Sequence, residues 1–194
     1  MATRKTTTKV ENKTEKVDTT VSSESVAETV GNQKIQEAEE KPIIPKNIDP
    51  MTLVVVKSGF HGRLVYISPR TKEKYVWEEF GDEQEIELRE LRNAKSSAKK
   101  LFENNWFMFD EDNNWVIPYL GLGKFYKNAL KLDEFDDVFK KSPEEITDII
   151  EKLSSGQKKS LSYMARRLVA DGEIDSRKVI SALEEALGIE LIER

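Results

Sequence analysis

Every one of the sixteen aromatic residues lies beyond Met51. The residues before it contain no Phe, Trp or Tyr, and Thr, Ser, Lys and Glu dominate them. The isolated Val10, Val17, Val21, Val26 and Val30 are too sparse to build a core. A segment of this kind buries too little apolar surface to offset the entropy of ordering it. Residues 1–50 are therefore expected to form a polar N-terminal arm, disordered when alone. The pattern also allows a short amphipathic helix near Glu24–Glu40. The end of the arm, Lys41 to Pro50, carries Pro42, Pro45 and Pro50 and reads as an extended strap or linker. Any compact body must come from residues 51–194.

Charge narrows the function classes. Thirty-one Lys and Arg stand against 36 Asp and Glu, a formal net charge of -5 at pH 7. That balance disfavours a general nucleic-acid coat but leaves room for a local basic patch. No run approaches the roughly 18 apolar residues of a membrane span, so no membrane partner is expected. The start, Met1 to Lys5, has charge but no apolar stretch after it, and no secretory signal is expected. With no cysteine there is no disulfide, Cys-ligated zinc, iron–sulfur cluster or thiol nucleophile, and a reducing compartment fits. His61 is the one histidine, which removes two-histidine metal motifs.

Beyond Met51 the pattern turns strand-like. Leu53–Val56 is a β-branched run, and Gly59–Gly62 reads as a turn. Arg63–Ile67 and Lys74–Phe80 follow as strands separated by the polar turn Ser68–Glu73, and Glu85–Leu88 is a fourth candidate. Short strands with polar turns predict an antiparallel meander. Residues 89–104 look helical, with Leu91, Ala94, Ala98 and Leu101 roughly in phase. Trp106–Phe109 and Trp115–Ile117 flank the polar Asp110–Asn114 and read as a hairpin completing the sheet. Tyr75, Trp77, Trp106, Phe107 and Trp115 are expected in the core.

The last third reads as helix. Pro118–Leu130 fits one or two short helices. Ser142-Pro143-Glu144-Glu145 is a start signal, with Ser at the N-cap, Pro at the first helical position and Glu at the third. Ile146, Ile149, Ile150 and Leu153 follow at helical spacing. Ser154-Ser155-Gly156 is expected to break that helix. A second runs from Gln157 to Ala170, with Leu161, Met164, Ala165 and Leu168 on one face. Asp175 is expected to cap a last helix carrying Val179, Ile180, Leu183 and Leu187, with Gly188 at its stop. The fold class expected is α+β: a β-rich domain over 51–117, with a small antiparallel sheet and one helix, and a compact helical C-terminal subdomain over 118–194.

Motif chemistry is thin. Asp110, Asp112 and Asn114 have calcium-loop spacing, but Trp115 and Gly121 occupy the positions that need Gly and a bidentate Glu. Gly121-Leu122-Gly123 lacks the third glycine of a dinucleotide fingerprint, since Tyr126 stands there. His61 is expected as an exposed loop residue, and no motif selects a carboxylate pair. No cofactor, metal or catalytic residue is assigned. Basic residues gather at Lys95, Lys99 and Lys100, and at Lys158, Lys159, Arg166 and Arg167. On a helix Lys159 and Arg166 share a face, and Lys158 and Arg167 do so only loosely. A short helix, a break and a basic helix offer a nucleic-acid reading, weighed against a solvated face balanced by Glu144, Glu145 and Glu151.

Leu64-Val65-Tyr66-Ile67-Ser68-Pro69-Arg70, Val76-Trp77-Glu78-Glu79-Phe80-Gly81 and Phe102-Glu103-Asn104-Asn105-Trp106 resemble segments of small structural and morphogenesis proteins of tailed bacteriophages. The similarity continues through Phe125–Leu130 and the helices of 142–194. The resemblance implies a non-enzymatic structural or assembly protein of the virion, in capsid, neck or tail, found in the particle and, during assembly, in the host cytoplasm. Its partners would be other virion proteins or further copies of itself, as a ring or lattice. Ile43, Ile44 and Ile48 in the strap, and Phe60, are the expected docking residues. The alternative is an accessory protein that binds nucleic acid through the basic helix. A hydrolase with a carboxylate site is a third reading.

Overall fold

The computed structural model of the chain describes residues 47–192. Nearly all of the expected arm and strap, including Ile43 and Ile44, lies outside them. The fold is α+β, with antiparallel strands in the first part and helices through the second.

β1 (Leu53–Ser58) buries Val54, Val56 and Ser58 and turns the alternate residues outward, as the two-residue period of a strand requires. It pairs antiparallel with β4 (Glu83–Glu87), Val54 opposite Ile86, and with β5 (Phe107–Met108), Ser58 opposite Phe107. β2 (Leu64–Ile67) and β3 (Lys74–Trp77) form a separate two-stranded ribbon, Leu64 opposite Trp77. The expected meander is thus corrected. β1 does not pair with β2, because the chain from Gly59 to Arg63, with Gly62 at φ 121°, carries it away from the first sheet instead of folding it straight back. The Trp77 indole N–H reaches across and donates to the Val56 carbonyl oxygen at 2.9 Å, joining the two sheets.

α1 (Leu88–Ser97) and the short α2 (Lys100–Glu103) cover this layer with Leu88, Leu91, Ala94, Leu101 and Phe102. The expected second hairpin is half right. Phe107 and Met108 join the sheet, whereas Val116 opens the short helix α3 (Val116–Tyr119). The reason lies at Asp110. Its Oδ1 accepts the Asn113 backbone N–H at 3.1 Å and the Asn113 side chain at 2.8 Å. That local bond winds the acidic stretch into a helical turn rather than a hairpin tip. α4 (Gly123–Tyr126) and α5 (Glu134–Val138) follow.

α6 (Pro143–Lys152) starts as expected, with reciprocal hydrogen bonds between Ser142 and Glu145. α7 spans Ser155–Ala170 and α8 spans Arg177–Leu187. Gly188 ends α8 in the left-handed conformation at φ 65°. Two expectations shift here. Gly156 sits inside the first turn of α7, and Ser154 is the cap. The cap position of α8 falls to Ser176, without a side-chain bond, rather than to Asp175.

Buried side chains gather into two clusters. The first is rich in rings (Tyr66, Tyr75, Trp77, Phe102, Phe107) and extends to Val116, Leu120 and Leu122. The second takes Ile146, Ile150, Leu161 and Leu183 from α6–α8, together with Phe135 and Met108.

Candidate functional site

The most chemically distinctive surface lies on α7. Its inner side is fixed by contacts that leave no slack. A β-carbon on Gly156 would stand 2.1 Å from the Asn104 carbonyl oxygen, so only glycine lets the helix approach this closely. The Ser154 hydroxyl donates to that same oxygen at 3.1 Å, and the buried Ser160 hydroxyl donates to the Gly59 carbonyl oxygen at 2.8 Å. Buried Gln157 accepts from the Leu130 N–H and donates to the Leu130 carbonyl oxygen. Leu161, Met164 and Ala165 complete the buried face.

The outer side carries Lys159, Tyr163, Arg166 and Arg167, all exposed. At about 100° per residue, all three cations fall within roughly 60° of Tyr163 around the helix axis. Among the described residues, none of the three has a carboxylate within ion-pair distance. Lys158 departs from the group: it is half-buried, and its ammonium points back to the Glu151 carbonyl oxygen at 3.4 Å. Of the basic residues read from the sequence, Lys159, Arg166 and Arg167 are therefore brought together, and Lys158 is not.

Tyr163 was not singled out by sequence reasoning. The residue is 53% exposed, and its ring lies nearly parallel to that of His61, with centroids 5.4 Å apart and planes at 15°. His61 in turn leans on Phe80, and Phe80 meets the buried Phe135 edge-on. The expectation of an exposed loop histidine is corrected. His61 is half-buried, with its Nδ1 shut off from solvent and without a hydrogen-bond partner. Burial, and then the Arg167 charge, hold its pKa below the usual imidazole value. The sequence signal for this pairing is weak, because 102 residues separate two rings that only the tertiary fold stacks.

Two members of the other basic group are engaged, and the third, exposed Lys100, lines the groove beside β2. Lys95 donates to the Leu120 carbonyl oxygen, and Lys99 pairs with Glu103. Ile48 is half-buried against the first cluster, and Phe60 lies edge-on to Trp106 with ring centroids 5.3 Å apart. The large aliphatic side chains that do face solvent side by side are Val65 and Ile67 on β2, at 41% and 54% exposure. They border an open groove of about 320 Å³ walled also by Pro69, Ala98 and Leu101. β2 pairs only with β3, so no described strand takes its other edge.

Carboxylate chemistry finds little footing. Glu90 is the buried acid, and its two oxygens accept from the Tyr66 hydroxyl at 2.6 Å and from the Asn93 side chain at 3.2 Å. The Tyr66 bond fastens α1 to the β2–β3 ribbon, and the Asn93 bond holds the carboxylate from within the helix. Gly121 closes α3 with φ 65°, a helix stop and not a phosphate loop. Among the described residues, no group of three acidic or histidine side chains is placed to hold a metal ion, and no helix is long and apolar enough to cross a membrane. No protein-family model, curated protein or solved structure matches the chain.

Proposed function

We propose that the chain is a non-enzymatic structural or assembly protein of a tailed-phage particle and works through protein–protein contact. The observation that carries this reading is the open edge of β2. A strand with two adjacent outward aliphatics, an unpaired hydrogen-bonding edge and an apolar groove beside it offers both halves of strand addition. Backbone pairing would supply affinity, and the groove would hold alternate side chains of the incoming segment. Soluble proteins normally blunt such edges with charge, proline or a covering element.

In this reading the partner is another virion protein or a further copy of the chain. The resemblance of residues 53–194 to phage structural proteins supports the setting, and the groove supports the mode of contact. Quantitative mass spectrometry of purified particles, using peptides from residues 51–194, is the direct test. A fixed stoichiometry is expected. The double variant Val65→Lys with Ile67→Lys should keep its circular dichroism spectrum and fall at least tenfold in particle incorporation. Absence of the wild-type chain from particles overturns the virion reading, and normal incorporation of the double variant overturns the role of β2.

A further inference from the structure

We infer that the outer face of α7 binds single-stranded nucleic acid, with Tyr163 as a stacking platform and Lys159, Arg166 and Arg167 as phosphate contacts. The inference is independent of the β2 groove.

Single-strand recognition combines cations that track the backbone with aromatic faces on which bases stack. Both are present within one stretch of helix. The cations stand on either side of the tyrosine around the helix axis, so a base over the ring would bring its flanking phosphates towards them. Among the described residues no carboxylate lies within 4.0 Å of any of the three, so their charge is open to a ligand. Such unspent charge on a chain of net charge -5 is complementary to a polyanion. The acidic balance of the whole chain does not cancel it, since the Debye length at 0.1 M salt is about 10 Å.

The ring is also held in place. His61 occupies one face of Tyr163 at 5.4 Å, Phe80 supports His61, and Phe135 anchors Phe80 in the second core cluster. One face of the phenol is thus backed by the protein and the residue remains 53% exposed. A pre-placed ring loses less freedom when a base settles on it. Beneath it, the Gly156 and Ser160 contacts fix α7 against the sheet layer, so the cations move with the platform. A phenol ring standing proud of the helix between cations is a poor match to the major groove of a duplex, which is read by hydrogen-bonding edges. It suits an unstacked base.

Fluorescence anisotropy of the full-length chain with a labelled oligothymidylate of about twenty nucleotides tests this. Binding should weaken with salt between about 50 and 200 mM, with a log–log slope near -2 for roughly three phosphate contacts. Arg166→Glu with Arg167→Glu should reduce affinity at least tenfold and flatten the slope. Tyr163→Ala should reduce affinity about tenfold with the slope unchanged, and Tyr163→Phe should retain it. These side chains are exposed, and an unaltered circular dichroism spectrum checks that the variants fold. No binding at the lower salt overturns the inference. So does a Tyr163→Ala variant that binds like wild type, or a duplex of equal length that binds more tightly than the single strand.

Discussion

The two core clusters are built on different principles. The first is made of rings, and its rings carry polar handles. Trp77 donates to Val56, Tyr66 to Glu90, and Tyr126 to the Phe107 carbonyl oxygen. These three partners lie at least 19 residues away in the chain, whereas the Tyr75 hydroxyl donates locally to Glu73 and the Trp106 indole N–H is buried without a partner. The second cluster is largely aliphatic, and its helices are set by local devices: the Ser142–Glu145 box, the Ser154 cap and the left-handed Gly188. Three of the first half's handles thus pin it by long-range hydrogen bonds, whereas the helices of the second are set by their own chain neighbours. Gly59, Asn104, Gly156 and Ser160 form the seam between them.

The largest expected effect breaks the first half at its centre. Trp77→Ala removes a fully buried indole and leaves the Val56 carbonyl oxygen without that donor. The expected loss is about 3–5 kcal/mol in urea unfolding at pH 7. The comparison itself is sharpened by watching two probes in the wild-type chain. Trp77, Trp106 and Trp115 all report on the first cluster, whereas the helical signal at 222 nm comes largely from α6–α8. The tight seam predicts that the two signals change together. Separate midpoints would show that the clusters melt independently.

Next in size is the seam. Gly156→Ala places a methyl group 2.1 Å from the Asn104 carbonyl oxygen and 2.7 Å from Trp106 Nε1. Backbone oxygen cannot step aside cheaply, so α7 must shift. The expected cost is about 2–3 kcal/mol by the same urea measurement, although alanine is the better helix former by about 1 kcal/mol. A variant as stable as wild type would show that α7 has room to slide.

The same division explains what the sequence reveals. The bounds of α6 and the stop of α8 are legible because a cap and its helix are neighbours in the chain. Strand positions are legible too, since Val54, Val56, Tyr75 and Trp77 alternate with exposed or half-buried residues. Strand partners are not. Nothing local to Leu53–Ser58 tells that Ile86 and Phe107, rather than β2, will lie opposite. Gly156 looks like a helix breaker until the Asn104 carbonyl beside it is known. At the candidate surface the basic residues of α7 were visible as a run. The unpaired state of Lys159, Arg166 and Arg167, the retreat of Lys158 and the His61–Tyr163 stack all depend on contacts across the fold.

The smallest expected effect probes one long-range handle by charge. Burial pushes the Glu90 carboxyl up, but hydrogen bonds from Tyr66, Ser68 and Asn93, with the Arg70 charge, outweigh it and leave the pKa below the usual carboxylate range. A carboxylate with a depressed folded pKa contributes stability that is present above its unfolded pKa, near 4.5, and is lost as pH falls through the folded value. Tyr66→Phe deletes one donor and leaves the ring in place. At pH 7 the expected cost is about 1.5 kcal/mol, the range of a hydrogen bond to a charged group. The gap between wild type and variant should narrow as the pH is lowered below about 4.5, because protonated Glu90 needs that donor less. Urea unfolding of both chains at neutral and acidic pH measures it. A gap that stays constant with pH would mean that the Tyr66 hydroxyl serves packing alone, and that the ribbon is joined to α1 by shape rather than by the buried charge.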